Sequence, residues 1–294
     1  SEKYIYNGMR AISKVNLEPI VTKARAKLNL TLDVLGKRSD GYHDLCMVMQ
    51  SVALCDTVTI RREAERGVAV RSNLEFLPTG KNNLAASAAL RLCEAAGMDP
   101  NGLRIDLEKS IPVCAGMGGG SSDAAAVLNA LNRAWKLGYA PQELAALGEQ
   151  VGSDVPYCVL GGTALAEGRG EILTPLPSLP WCFVVICKPH FAVSTPELFA
   201  RIDGMKLHCH PDTRGMLQAL ENGDVLGVAR RMYNVFEDVL PRNQGGTVAE
   251  IKTELIRHGA LGACMSGTGP TVFGLFDTLV GAWRAYHDLR QTYT

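Results

Sequence analysis

Residues 112–126 read Pro-Val-Cys-Ala-Gly-Met-Gly-Gly-Gly-Ser-Ser-Asp-Ala-Ala-Ala, an order of residue types suited to holding a phosphate group. Gly116, Gly118, Gly119 and Gly120 let the backbone bend through conformations closed to other residues and approach an anion closely. Ser121 and Ser122 can cap a helix beginning near Asp123, leaving amide N–H groups pointed into the loop. Those amides, with the positive end of the helix dipole, make an anion site. Two familiar phosphate motifs do not fit. A P-loop ends in Gly-Lys-Ser/Thr, yet no lysine lies between Lys109 and Lys136. The dinucleotide fingerprint needs glycine where Gly116-Met-Gly118-Gly-Gly-Ser121 has serine.

The elements that must position this loop can be read from hydrophobic periodicity. Residues 25–34 predict a strand, with Ala26, Leu28, Leu30 and Leu32 alternating against Lys27, Asn29, Thr31 and Asp33. Lys37-Arg-Ser-Asp-Gly41 is turn chemistry, followed by two strand-like runs, Leu45–Leu54 and Thr57–Arg61. Asn83 to Ala96 predicts a helix stopped by Gly97. Leu103–Glu108 alternates and leads as a strand into the glycine loop. Beyond it, Ala125, Leu128, Leu131 and Trp135 form one helical stripe ended by Gly138, and Pro141 opens a further helix. Tyr157–Ala166, apolar and glycine-bearing, predicts a strand. Three prolines between 175 and 180 mark a domain boundary. A strand at Cys182–Cys187, amphipathic helices, two short strands around Ser266-Gly-Thr-Gly-Pro270 and a last helix from Leu279 to Leu289 follow. Strands mixed with helices without regular βαβ alternation indicate an α+β fold.

With 294 residues there is room for two domains. Lys plus Arg equals Asp plus Glu at 30 each, so the formal net charge is zero, which argues against broad electrostatic binding of nucleic acid. Nine scattered cysteines, odd in number and without Cys-x-x-Cys, read as reduced thiols in a cytoplasmic protein. Cys46, Cys158, Cys187 and Cys264 stand in apolar surroundings. His208-Cys209-His210 with Asp212 imitates a metal cluster but has no second ligand group at a recognised spacing, so an exposed loop is expected there. No apolar run has transmembrane length. Residues 1–22 lack the apolar core of a signal peptide, carry Glu2 and Glu18, and are read as an extension of unknown role.

Three motifs taken in order resemble the GHMP kinases, the superfamily of galactokinase and of homoserine, mevalonate and phosphomevalonate kinases. Pro112-Val-Cys-Ala-Gly-Met-Gly-Gly-Gly-Ser-Ser-Asp-Ala is similar to that family's central motif, with one extra glycine and Met117 in place of leucine. Met265-Ser-Gly-Thr-Gly-Pro-Thr271 resembles its C-terminal glycine motif, and Ala26-Lys-Leu-Asn-Leu30 its N-terminal one. Lys37-Arg-Ser-Asp-Gly-Tyr-His43, Gly152-Ser-Asp-Val-Pro156, Gly161-Gly-Thr-Ala164 and Gly168-Arg-Gly-Glu171 resemble the branch that phosphorylates the 2-hydroxyl of a cytidine-diphosphate-linked methylerythritol. That branch serves the non-mevalonate route to isoprenoid precursors. The resemblance runs from about residue 24 to the last helix.

The resemblance implies a two-domain fold, with a ribosomal-protein-like ATP-binding domain over 23–175 and a ferredoxin-like domain over 176–294. It implies ATP and Mg2+, a small-molecule substrate and no membrane or nucleic-acid partner, and leaves monomer and homodimer open. Lys27 and Asp154 match the catalytic lysine and aspartate. Taken alone they read as a solvated strand lysine and a turn-former, and 127 positions separate them. Pro112, Val113, Cys114, Ala115, Gly116, Met117, Gly118, Gly119, Gly120, Ser121 and Ser122 would hold the ATP phosphates, with Ser122 also a magnesium contact. Asn83 and Lys109 match positions near the adenosine. Tyr42, His43 and Phe199 would receive the cytidine, by stacking and by hydrogen bonding to the base edge, with Thr195 as a nearby polar contact; Asn29 would be a substrate contact, or else an asparagine exposed on the strand ladder. Phe199 could equally be core packing on a short helix. Two other readings compete: another GHMP kinase acting on a different small alcohol, and a non-catalytic nucleotide- or RNA-binding relative.

Overall fold

The computed structural model describes residues 18–63 and 66–293, so all but five residues of the extension at 1–22 lie outside the description. The strands are β1 (Ile20–Lys37), β2 (His43–Arg62), β3 (Val68–Ser72), β4 (Leu103–Glu108), β5 (Thr163–Gly168), β6 (Ile172–Pro175), β7 (Phe183–Cys187), β8 (Tyr233–Asn234), β9 (Gly262–Met265) and β10 (Val272–Phe276). The helices are α1 (Leu84–Ala96), α2 (Gly119–Ala134), α3 (Pro141–Glu149), α4 (Val155–Leu160), α5 (Thr195–Asp203), α6 (Thr213–Glu221), α7 (Val225–Arg231), α8 (Arg242–Arg257) and α9 (Leu279–Tyr293). They form two compact units interleaved along the chain. The first takes residues through Ala26, Ala53–Ile111 and Gly119–Leu160; the second takes Lys27–Val52, Pro112–Gly118 and Gly161–Thr294.

In the first unit β4 pairs antiparallel with the end of β2, from Thr57↔Glu108 to Arg62↔Leu103, and parallel with β3. Its core is rich in alanine: Ala85, Ala86, Ala88 and Ala89 of α1 and Ala124, Ala125 and Ala126 of α2 are buried with Leu92, Leu128 and Leu131. Small side chains let these two helices pack closely, while each fully buried leucine contributes roughly 1.5–3 kcal/mol. Gly97 closes α1 in the left-handed conformation at φ 62, as its position predicts.

In the second unit the first half of β2 pairs antiparallel with β5, from Leu45↔Gly168 to Gln50↔Thr163, and β5 pairs with β6. β1 runs parallel to β8, Thr31 facing Tyr233 and Leu32 facing Asn234. A separate antiparallel sheet, β7-β10-β9, packs against α8 and α9. β10 is buried throughout, and Phe273 and Phe276 fill that core.

Two expectations fail. The runs 45–54 and 57–61 are one continuous twenty-residue strand, because Cys55 and Asp56, read as a break, stay in extended backbone. The stretch 157–166 is not one strand: α4 occupies 155–160, Gly161 and Gly162 turn the chain at φ 66 and 76, and β5 begins at Thr163. A short apolar run does not by itself separate a buried helix from a buried strand.

Candidate active site

Lys27, Asn29, Thr31 and Asp33 form the polar side of β1, where a strand at a surface would meet water. They are instead 4, 0, 0 and 5% exposed. Burying an ammonium is costly unless it is paired and hydrogen-bonded. Lys27 Nζ donates to Asn29 Oδ1 at 2.8 Å, and the same oxygen accepts the Gly267 N–H at 3.0 Å. Asn29 Nδ2 reaches Met47 Sδ at 3.3 Å and its backbone N–H the Ser266 hydroxyl, also at 3.3 Å. Asn29 therefore has no exposed surface and links the lysine to the backbone at Gly267.

The glycine loop is fastened to this network. The Lys27 N–H donates to the Met117 carbonyl (3.0 Å), the Ser266 hydroxyl to the Gly116 carbonyl (2.8 Å), and the Thr271 N–H to the Ala115 carbonyl (3.2 Å). Gly116 has φ 82, and a Cβ there would stand 2.1 Å from the Ser266 carbonyl oxygen; only glycine fits. Asn234 holds the other side of the 266–271 loop, donating from Nδ2 to the carbonyls of Met265 (2.8 Å) and Gly267 (2.7 Å). Nothing in the sequence around Asn234 signals that role. Cys114, exposed with φ 52, stands on the approach to the loop beside half-buried Pro112 and Val113.

The second unit also gathers the aromatic residues. The His43 ring stacks on Phe199 with centroids 4.6 Å apart, and Phe199 meets Phe236 edge-on at 5.0 Å. Phe199 thus packs inward and remains half-exposed. The Arg169 guanidinium lies 3.7 Å from the centre of the Tyr42 ring, a cation–π contact. His43 Nε2 bonds Asp203 Oδ1 at 2.6 Å, and Lys37 Nζ takes Asp203 Oδ2 at 3.0 Å. The hydrogen bonds from His43 and then Lys37 hold the Asp203 carboxyl below the usual carboxylate range. Thr195 meets Thr268 hydroxyl to hydroxyl at 2.7 Å. Arg169 and Asp203 escape a reading of sequence, although Arg169 lies in the Gly168-Arg-Gly-Glu motif.

The first unit holds the rest. α2 begins at Gly119, four residues before the expected start, so Ser121 and Ser122 lie within its first turn and do not cap it. The Ser122 hydroxyl donates instead to the Arg25 carbonyl at 2.6 Å. The first-turn amides of Gly119, Gly120, Ser121 and Ser122 have no earlier helical turn to bond and are suited to an anion. Lys109 is buried between two carboxylates: Nζ donates to Asp123 Oδ2 at 2.7 Å and to Asp56 Oδ2. Asp56 Oδ1 accepts the Ser110 and Ile111 N–H groups at 2.6 and 2.8 Å, fixing the chain just before the loop. Burial pushes the Asp123 carboxyl up to about 7 against the opposing pull of Lys109. Asn83 caps α1, accepting the Ala85 N–H at 2.9 Å and donating to the Pro78 carbonyl at 3.1 Å. Asp154 is half-buried directly before α4, its carbonyl accepting the Cys158 N–H at 3.1 Å.

Among the described residues no group of three or more His, Cys, Asp or Glu side chains is placed to hold a metal, and His210 Nδ1 bonds Asp33 Oδ1 at 2.7 Å. Magnesium coordinated mainly by phosphate oxygens and water needs only one or two protein oxygens. Ser122, whose hydroxyl proton goes to Arg25 and whose oxygen accepts from no group among the described residues, suits that demand.

A lysine held beside a glycine loop, with a helix N-terminus directly after that loop, is a phosphotransferase arrangement. Residues 83–162 match the GHMP kinases N terminal domain and residues 216–294 the GHMP kinases C terminal domain. The chain belongs to the GHMP kinases and has their two-domain, mixed α and β fold. It is 43% identical, over 94% of each chain, to a protein of Alkaliphilus metalliredigens (strain QYMF) named 4-diphosphocytidyl-2-C-methyl-D-erythritol kinase. A protein of the same name from Lachnospira eligens is 47% identical over 88% of this chain and 90% of its own. A crystal structure of a 4-(cytidine 5'-diphospho)-2C-methyl-D-erythritol kinase superposes with a TM-score of 0.77 at 34% identity, covering 93% of this chain and 96% of its own.

Proposed function

We propose that this chain transfers the γ-phosphoryl group of ATP to the 2-hydroxyl of 4-diphosphocytidyl-2-C-methyl-D-erythritol, a step toward isoprenoid precursors by the non-mevalonate route. The observation that best supports this is the buried Lys27, held by Asn29 next to a glycine loop that leads into the N-terminus of α2. The relatives' shared name supports the choice of substrate. In this reading the domains are the ATP-binding one over 23–175 and the C-terminal one over 176–294. The Pro112–Ser122 loop takes the phosphates through backbone amides, with Asn83 and Lys109 on the adenosine side. Ser122 would hold magnesium, which would supply positive charge to the phosphate oxygens.

Asp154 accepts the proton of the attacking hydroxyl as the new bond to phosphorus forms and the bond from phosphorus to the ADP oxygen breaks. Lys27 stabilises the charge that develops on the reacting oxygens. Tyr42, His43, Phe199 and Thr195 receive the cytidine end, and Asn29, expected from sequence as a substrate contact but fully buried, acts instead through Lys27. All nine cysteines are free, which supports placement in a bacterial cytoplasm. The zero net charge supports a small-molecule partner over nucleic acid. ADP release is the test, with 4-diphosphocytidyl-methylerythritol, homoserine and mevalonate offered in turn. The cytidylyl substrate alone should turn over, and Asp154→Asn and Lys27→Met should each lower kcat by on the order of 10²–10⁴. Turnover of homoserine or mevalonate instead would overturn the choice of substrate, and unchanged kcat in the variants would overturn their roles.

A further inference from the structure

Thr195, Phe199 and Asp203 stand at intervals of four along α5 and so share one face of that helix. Each meets a group of the proposed substrate pocket or its rim: Thr195 meets Thr268, Phe199 stacks on His43, and Asp203 bonds the same imidazole. One helix face therefore presses a ring against His43 and anchors one of its nitrogens. A carboxylate can only accept, so in the neutral imidazole the proton must sit on Nε2, which leaves Nδ1 as an acceptor. Among the described residues no group bonds His43 Nδ1.

We propose that Asp203 is a specificity-determining positioning residue: by accepting the Nε2 proton of His43, it presents Nδ1 as an acceptor and so selects a pyrimidine bearing an exocyclic amine over one bearing a carbonyl there. Cytosine offers an amine N–H donor at that edge, whereas uracil offers a second acceptor, which would face Nδ1 lone pair to lone pair. The inference rests on the proposed cytidine pocket and deepens it. Lys37 shares the carboxylate through its other oxygen but does not touch the ring. Its loss leaves the tautomer in place.

The test uses the full chain and compares wild type with Asp203→Ala, Asp203→Asn and Lys37→Met. The first measurement is kcat/KM for the cytidylyl substrate against its uridylyl counterpart. The second is direct titration with CDP and UDP in the absence of ATP. The third is the 15N chemical shifts of the His43 ring in the ligand-free protein. Wild type should show the Nε2–H tautomer and favour cytosine. Asp203→Ala should release the tautomer and cut the cytosine-to-uracil ratio by about tenfold or more. Asp203→Asn offers both an acceptor and a donor to Nε2 and should cut the ratio less, while Lys37→Met should keep it. An equal loss for both bases in Asp203→Ala, with the ratio intact, would mean a purely structural role and sink the proposal. So would an Nδ1–H tautomer in wild type. Failure of wild type to turn over either substrate would overturn the proposed function, and the CDP/UDP titration with the 15N spectrum would still decide the role of Asp203.

Discussion

Asn29 has more partners than its position two residues from Lys27 suggests. Its Oδ1 alone accepts from the Lys27 ammonium and the Gly267 amide, and it has no contact with water. Asn29→Ala leaves the buried Gly267 N–H without its acceptor and should lower stability by roughly 1–3 kcal/mol, read as a lower urea midpoint. The same variant should reduce kcat more than it raises the KM for ATP, since the ammonium loses the Asn29 oxygen as one of its partners. Cysteine reactivity makes a second residue-level prediction. Burial pushes the Cys93 and Cys187 thiols up to about 11, so at pH 7–8 they hold almost no thiolate; Cys114 and Cys209 are exposed. Maleimide should label Cys114 and Cys209 in the native protein and Cys93 and Cys187 only after denaturation. ATP should slow labelling of Cys114 and leave Cys209 unaffected; equal protection of both would count against phosphates in the 112–122 loop.

At the scale of elements, the loop before α2 is set by what surrounds it as much as by its own glycines. Gly116 needs a positive φ and has the Ser266 carbonyl where a side chain would begin, whereas a Cβ on Gly120 would meet only the end of Leu84, at 3.2 Å. Gly116→Ala should therefore cost on the order of 1–3 kcal/mol in stability and abolish ATP binding, because backbone must move. Gly120→Ala should be tolerated, since a leucine rotamer can adjust and alanine is a good helix former. Thermal melts with and without ATP separate the two. A Gly116→Ala protein as stable as wild type would show that the loop is not held as described. α5 is the other element whose face matters, and its spacing of four is visible once Phe199 is in view. Its partners His43 and Thr268 lie 156 and 69 positions from Phe199, so only folding brings them to it.

For the whole molecule, the interleaving of the two units predicts how the chain divides. Lys27–Val52 and Pro112–Gly118 belong to the same unit as Gly161–Thr294. A fragment ending at Pro175 loses β8, which pairs with β1, and loses Ser266, Gly267 and Asn234, which hold Asn29 and the loop. It should lack the sharp cooperative unfolding of the full chain and be cut by protease within β1. Protection of β1 in the fragment would argue otherwise. The local features were legible in the sequence because their causes are local. Glycine and serine content marked the loop, Asn83 and Gly97 bounded α1, alternation marked β4, and Pro141 opened α3. The GHMP motifs brought the family within reach for the same reason, each being a short run whose backbone demands are written in its own residues. Two neighbouring short strands could not be told from one long one, nor a six-residue buried helix from a strand, because a brief apolar run satisfies both periods. Which polar groups are buried, and what meets them, is fixed only once the chain has folded. Lys27 and Asn29 read as a solvated edge until the loop at 266–271 closes over them, and Asp203 is an ordinary surface acid until α5 places it on His43. Those facts depend on contacts between residues more than a hundred positions apart, which no window of sequence contains.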